Sequence, residues 1–367
     1  MLWPLPSRQR PQDCSHPGSL FLPFMTHAPH PREILLGAQA GVQALPVCDH
    51  YSGVEVRMRK SLQLQAELMA EYGHCVFDVT LDCEDGAPVG KEREHATLVA
   101  QLAQQAVQAQ PGARVAARVH PVDHPSFAAD MDTIAGQAAA QLCHIMVPKV
   151  ESVEDVLRAE DALLAAGAAQ LPLHVLIESP AAVHRAFEIA AHPRVQSISF
   201  GLMDFVSAHG GAIPAAAMGV AGQFSHPLVL RAKLEIASAC HAHGKVPSHC
   251  VVTEFTDQAA LQAAAHRAAA ELGYTRMWSI HPAQIRPILA AFAPTQTEID
   301  AAARITLAAA AADWAPISVD GVLHDRASYR YYWQLLERAH QTARPLPQGV
   351  QHWFYDVDSC SLSSLQS

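Results

Sequence analysis

From residue 44 to residue 312 the chain alternates short apolar runs with longer stretches whose apolar positions recur at a helical period. The short runs predict strands at 44–47, 76–81, 114–119, 145–147, 174–177, 196–200, 246–252 and 277–280. Helices are predicted between them. The first runs from Ser52-Gly53-Val54-Glu55, a capping-box signature, to Tyr72, and the next covers 91–110 and stops at Pro111-Gly112. A third follows Pro125-Ser126, and a fourth carries one apolar stripe of Val153, Val156, Leu157, Leu163 and Leu164 before Gly167 ends it. Further helices are expected at 181–191, 227–243, 258–272, 283–291 and 297–312. Eight strand–helix pairs in about 265 residues is the arithmetic of an α/β chain closed into a (β/α)8 TIM barrel. A doubly wound open sheet is the runner-up, but no strand is followed by GxGxxG, and Gly210-Gly211, Gly219 and Gly222 have the wrong spacing for it.

The pattern divides the chain into a Pro- and His-rich lead-in expected to be disordered (1–32), the barrel (33–313), a helical C-terminal lid or oligomerisation segment (314–343) and a tail with no readable pattern (344–367). Half of the 367 residues are apolar, enough for a large core. Only 16% are charged and the net charge is -10, so no basic field invites nucleic acid. No apolar run reaches the roughly 18 residues of a membrane span, and the N-terminus lacks the apolar core of a signal peptide. The eight cysteines show no CxxC pairing, which fits reduced, packed thiols in a cytoplasmic protein.

In such a barrel, chemistry belongs at the carboxyl ends of the strands. Those ends read His50-Tyr51; Asp82, Glu84 and Asp85; Arg118 and His120; Lys149 and Glu151; Glu178; Asp204; Ser248-His249; and His281. Glu178 ends one strand before Ser179-Pro180, a helix start, and Asp204 follows the next strand after Gly201. Parallel neighbours lie roughly 5 Å apart, so the two carboxylates can share a divalent cation; the bland alternative is a pair of helix caps or arginine partners. Hard oxygen donors in small number suit Mg²⁺, with Mn²⁺ as the alternative. Arg118, at the end of a buried strand, can hold a carboxylate or a developing enolate oxygen, or else form an internal ion pair with Glu84 or Asp85. Asp82 and Glu84 are placed in the catalytic set, touching metal-bound water or orienting Arg118. His50, Lys149 and Asp85 are placed with Arg118 around the substrate. Lys149 reads either as a Schiff-base lysine or as a structural partner of acids, and His120, His249 and His281 as a His-rich metal site or, singly, as wall residues.

These residues resemble the citrate lyase beta-subunit and malyl-CoA lyase group (HpcH/HpaI aldolases). The matching phrases are Asp82-x-Glu84-Asp85 with Lys91, Arg118-Val119, Pro148-Lys149-Val150-Glu151-Ser152, Ile177-Glu178-Ser179, Phe200-Gly201-x-x-Asp204 and Ile280-His281-Pro282-x-Gln284-Ile285, in the family's order over residues 45–325. The resemblance implies a Mg²⁺-dependent lyase that cleaves or forms a carbon–carbon bond in a 3-hydroxyacyl-CoA, giving an acyl-CoA and a 2-oxo acid. It implies that Glu178 and Asp204 bind the metal and that Arg118 meets the reacting carbonyl or enolate oxygen. It also implies an Asp delivered from a C-terminal lid across a subunit interface, here Asp325 in Asp320-Gly321-Val322-Leu323-His324-Asp325, and hence a homotrimer or hexamer. The chain departs from the family where Arg-Ser usually opens the first strand, where His120 replaces an Asn, and where Arg326 replaces a Pro. Three other readings stay open: a metal-dependent aldolase acting on free 2-oxo acids without CoA, a catalytically silent barrel subunit, and a phosphoenolpyruvate enzyme, for which the sequence shows no clear phosphate loop.

Overall fold

The computed structural model describes residues 29–41 and 44–355. Eight strands, β1 (Cys48–Ser52), β2 (Phe77–Asp82), β3 (Val115–Arg118), β4 (Leu142–Val147), β5 (Leu173–Ile177), β6 (Val195–Phe200), β7 (Val246–His249) and β8 (Arg276–Ser279), pair in sequence order, each parallel to the next, and β8 returns to β1. The (β/α)8 barrel is therefore closed. Parallel neighbours need crossovers, and those crossovers carry the helices that cover the barrel's outside. Outward strand residues such as Val79, Leu81, Ala117, Val147, Val175 and Ile198 are fully buried beneath them. No described helix is long and apolar enough to cross a membrane, and the six cysteines among the described residues are free thiols.

Inside the barrel, below the strand ends, lies a charged layer. Arg276 Nη2 stands 2.9 Å from Asp49 Oδ2 and 2.7 Å from Asp78 Oδ2, and its Nη1 donates to the Pro46 carbonyl. Arg114 pairs with Asp78 from β3's side, and the Thr80 hydroxyl donates to Asp49. A buried ion pair that loses one partner costs about 3–5 kcal/mol, so this layer fixes which residues of β1, β2 and β8 face inward.

That constraint moves β1. The apolar run at 44–47 predicts the strand there, but the strand is Cys48–Ser52, because Asp49 must meet Arg276 and Thr80. The Ser52 cap does not form either: the following helix is Glu55–Tyr72 with Val54 before it, and Ser52 Oγ bonds Ser61 Oγ instead.

A second apolar core lies outside the barrel. The helix Gln296–Ala311 starts on a Thr295–Glu298 capping box; a hairpin of β9 (Ile317–Val319) and β10 (Val322–His324) follows, turning at Asp320-Gly321, both in the left-handed region. The helices Arg326–Gln341 and Gln348–Tyr355 then pack Trp333, Leu336, Val350 and Phe354 together. A helix at Pro31–Leu36 joins them through Leu35 and the Arg32–Glu337 pair. Order thus begins before residue 33 and the 344–367 tail contributes a helix; residues 1–28 and 356–367 lie outside the described residues.

Candidate active site

Ser179 caps the helix Pro180–His184 by accepting from the Ala182 amide, with Pro180 at its first position, as the sequence pattern predicts. This holds Glu178 at the mouth of β5, buried, with Oε2 accepting from the Lys149 backbone amide at 3.1 Å. Lys149 adopts a left-handed φ of 52° at that point, an uncommon backbone for a side-chain-bearing residue. Gly201 closes the other side. A β-carbon there would stand 2.3 Å from Glu178 Oε1, so only glycine lets the carboxylate lie against the backbone.

Asp204 sits in the short helix Leu202–Ser207 that Gly201 opens, and no described residue donates a hydrogen bond or ion pair to its carboxylate. Its charge is felt by Glu178. Burial first, then the negative charges of Asp204 and Glu84, lift the Glu178 carboxyl to about 8, against the opposing pull of Arg118 and Lys149. Burial and carboxylate repulsion outweigh the positive charge of Arg118 and Lys149 at Glu178, and the two acids offer hard oxygen donors. Those two properties fit a small divalent cation.

Arg118 is fixed beside it. Its Nε and Nη2 donate to the two oxygens of Asp82 at 2.6 Å each, and Nη1 lies 3.0 Å from Glu84 Oε2. Asp82 also accepts from the Glu84 and Gly86 amides, so both of its oxygens are fully occupied. It therefore serves as the holder of Arg118, the second of the two roles expected for it. A β-carbon at Gly86 would meet Asp82 Oδ2 at 2.3 Å, so the loop after β2 is folded around this one carboxylate. Glu84 joins Arg118 to the Lys149 ammonium, which also lies 3.5 Å from the exposed Asp85. Burial opposes the charge on Lys149, yet Glu84, Asp85 and Glu178 raise its pKa above the ordinary lysine value. Paired with Glu84 and Asp85, it stands as a counter-charge, the structural role the sequence also offered.

His50 belongs elsewhere. It points out of the barrel, buried beneath the helix Glu55–Tyr72, with its ring nitrogens bonded to Ser279 and Ser61, so it is removed from the substrate-contacting set. Strand parity decides this: Asp49 and Tyr51 face inward, so His50 between them faces out. The histidines do not converge either. His120 bonds Asp130 at 2.6 Å, His249 bonds Lys233, and His281 caps the turn Pro282–Gln284. Asp325 caps its own helix, accepting from the Ala327 and Ser328 amides.

Tyr51, named among the strand ends but given no role, and Trp278, which the sequence reading missed, stand next to Arg118. The guanidinium carbon lies 5.0 Å from the centre of the Tyr51 ring and 5.8 Å from that of Trp278, and the two rings meet edge to face at 4.9 Å. Their signal was parity, two residues after Asp49 and Arg276. Among the described residues, three potential metal ligands approach within 4.8 Å of one another at Asp49–His144–His174 and Asp78–Cys143–His144. Both groups lie in the charged layer, where Arg276 and Arg114 already meet the carboxylates, and His144 and His174 stack at 3.5 Å. That layer carries its own cations.

A profile of the family described as HpcH/HpaI aldolase/citrate lyase matches residues 62–282. An L-malyl-CoA/beta-methylmalyl-CoA lyase of Cereibacter sphaeroides is 30% identical over 256 residues, covering 64% of this chain and 77% of that protein. Among solved structures, a citrate lyase from Burkholderia xenovorans LB400 is 48% identical with a TM-score of 0.72, covering 89% of this chain and all (100%) of that one. The protein CitE of Mycobacterium tuberculosis, solved with magnesium, acetoacetate and coenzyme A, shares the fold at 21% identity and a TM-score of 0.59, covering 81% of this chain and 98% of that one.

Proposed function

The chain belongs to the HpcH/HpaI aldolase/citrate lyase family, and from that premise we propose a carbon–carbon lyase acting on a 3-hydroxyacyl-CoA of the malyl-, citramalyl- or citryl-CoA type. The products of cleavage are an acyl-CoA and a 2-oxo acid. Glu178 and Asp204 are the residues to hold Mg²⁺, with Mn²⁺ the other ion such an oxygen pair accepts. One observation carries this reading: the buried Glu178 carboxyl, lifted by burial and by the charge of neighbouring Asp204, set beside an arginine that Asp82 and Glu84 hold in one orientation.

When bound, a divalent cation supplies Lewis-acid polarisation of the 2-oxo acid oxygens. The chain's own groups do the rest. Cleavage takes the proton from the 3-hydroxyl, breaks the adjacent carbon–carbon bond and sends its electron pair to the thioester oxygen. Arg118, held at a fixed angle, meets that developing charge without having to reorganise. Lys149 offsets Glu84, which keeps Arg118's positive field directed at the substrate. Asp325 is the proton carrier in this scheme. It lies on the C-terminal segment and would be delivered by a neighbouring copy's lid, which makes the working unit a homotrimer or hexamer.

The test is a thiol-release assay with malyl-CoA, citramalyl-CoA and citryl-CoA beside their free acids, in Mg²⁺ and in chelator. Release of CoA together with a trapped 2-oxo acid, lost in chelator, is the expected result. Cleavage of free acids with no thioester turnover would favour the CoA-independent aldolase, and no turnover of either would leave the silent subunit.

A further inference from the structure

Trp278 carries a polar group that the other described residues leave unused. It is 6% exposed on β8, directed inward above Arg276, and packs with Met146 and Leu176 of the facing strands and with Tyr51. Its indole N–H is buried and has no hydrogen-bond partner among the described residues. The other buried indole N–H in that condition, Trp333, has the Glu337 carboxylate beside it. Buried donors in folded proteins are nearly always paired with protein, water or ligand. This one stands next to Arg118, whose guanidinium carbon lies 5.8 Å from the centre of its ring.

We propose that Trp278 is a substrate-contacting specificity residue, whose indole N–H donates a hydrogen bond to an oxygen of the bound short-chain 2-oxo acid. The inference rests on the lyase reading above and adds the residue that recognises the small fragment. The ring serves twice. Its edge supports Tyr51, which covers one face of the Arg118 guanidinium, and its nitrogen supplies a directed neutral donor where Arg118 supplies charge. Met146 and Leu176 complete an apolar cluster beside the ring and hold it in place.

Crystals of the wild-type protein soaked with Mg²⁺ and pyruvate test the contact directly. A pyruvate oxygen within about 3.2 Å of Trp278 Nε1 supports the assignment. Pyruvate bound with that nitrogen unpartnered, or bonded only to water, overturns it. Kinetics give a second readout in the condensing direction. Trp278→Phe keeps an aromatic ring and deletes the donor, so KM for the 2-oxo acid should rise about tenfold, the worth of one hydrogen bond to a charged group, while kcat moves less than about twofold. An unchanged KM, or a fall in kcat alone, overturns the proposal. Calorimetry separates the two layers of inference: no pyruvate binding to wild-type protein with Mg²⁺ overturns the lyase reading and this assignment together, whereas binding without the contact overturns only the role of Trp278.

Discussion

Gly201 and Glu178 are built against each other: the space a β-carbon would need at 201 is filled by the Glu178 carboxylate, 2.3 Å from its Oε1 and 2.4 Å from its Cγ. The tight turn after β6 therefore sets where the acid after β5 points. Gly201→Ala is expected to push Glu178 off its position, lowering Mg²⁺ affinity and kcat/KM by about 100-fold, the scale of displacing a catalytic group by an ångström. Calorimetric Mg²⁺ titration and steady-state kinetics measure this; wild-type affinity in the variant would mean Glu178 is not a ligand.

The acidity of the site sets an unusual pH response. The Glu178 carboxyl is lifted to about 8, mainly by burial and then by Asp204. Its folded pKa lies above the unfolded one, so the native state holds the extra proton between about 4.5 and 8, and metal-free stability falls as pH rises through that window. The loss is on the order of a few kcal/mol. Buried histidines act in the opposite sense: burial lowers His50 to about 4 and His174 to about 3, so stability is lost as pH falls below the ordinary histidine range. Thermal melts in chelator against pH should show both limbs. Glu178→Gln should flatten the alkaline limb alone, and saturating Mg²⁺ should do the same in wild-type protein.

Asp82 is the mechanical support of Arg118. Asp82→Asn replaces one acceptor oxygen with a donor facing the guanidinium, and leaves a buried charge half-paired. Stability should fall by about 3–5 kcal/mol and kcat/KM by about 100-fold or more, measured by denaturant unfolding and turnover. If activity survives while stability falls, Arg118 does not act on the substrate.

His50 gives the converse pattern. His50→Ala empties a buried site beneath the helix Glu55–Tyr72 and removes one hydrogen-bond partner each from the Ser61 and Ser279 hydroxyls, which keep the Arg57 and His281 carbonyls. About 2–4 kcal/mol of stability should go, with KM for the substrate within about twofold of wild type. A large KM effect at full stability would return His50 to the site.

Asp325 caps its own helix, within a segment whose apolar core is separate from the barrel's. If neighbouring copies exchange lids, Asp325→Asn and Glu178→Gln, each inactive alone, should recover roughly a quarter of the wild-type rate when unfolded and reassembled together, since one site in four draws both intact residues. Asn keeps the cap, so folding is preserved. No recovery in mixed assemblies would place the two residues' work in a single chain.

The barrel and its acidic rim were legible because they follow local rules. Alternating periods gave the eight strand–helix units, and Ser179-Pro180 announced the helix that positions Glu178. What could not be read was set by distant partners. β1 lies several residues later than its apolar run because Asp49 answers to Arg276, 227 positions away in the chain by subtraction of their numbers. That shift turned His50 outward and brought in Tyr51, which the polar rim alone did not single out. Trp278 was hidden for the same reason: an apolar residue in a strand shows its facing side only once the register is known. The crowding of Gly201 on Glu178 is likewise a contact between two strands' ends, without a local motif to announce it.

Arg276 has a consequence for how the protein is made. It is the cation for Asp49 on the first strand and Asp78 on the second, yet it arrives on the last. A nascent chain still short of β8 carries those two acids into a closing interior with Arg114 alone to meet them, so the ring is sealed from its end. Synthesis on the ribosome should therefore leave the first strands protease-sensitive until residue 276 has emerged, and chains truncated at 275 should stay molten. A stably folded truncation would show that the seam closes without its clasp.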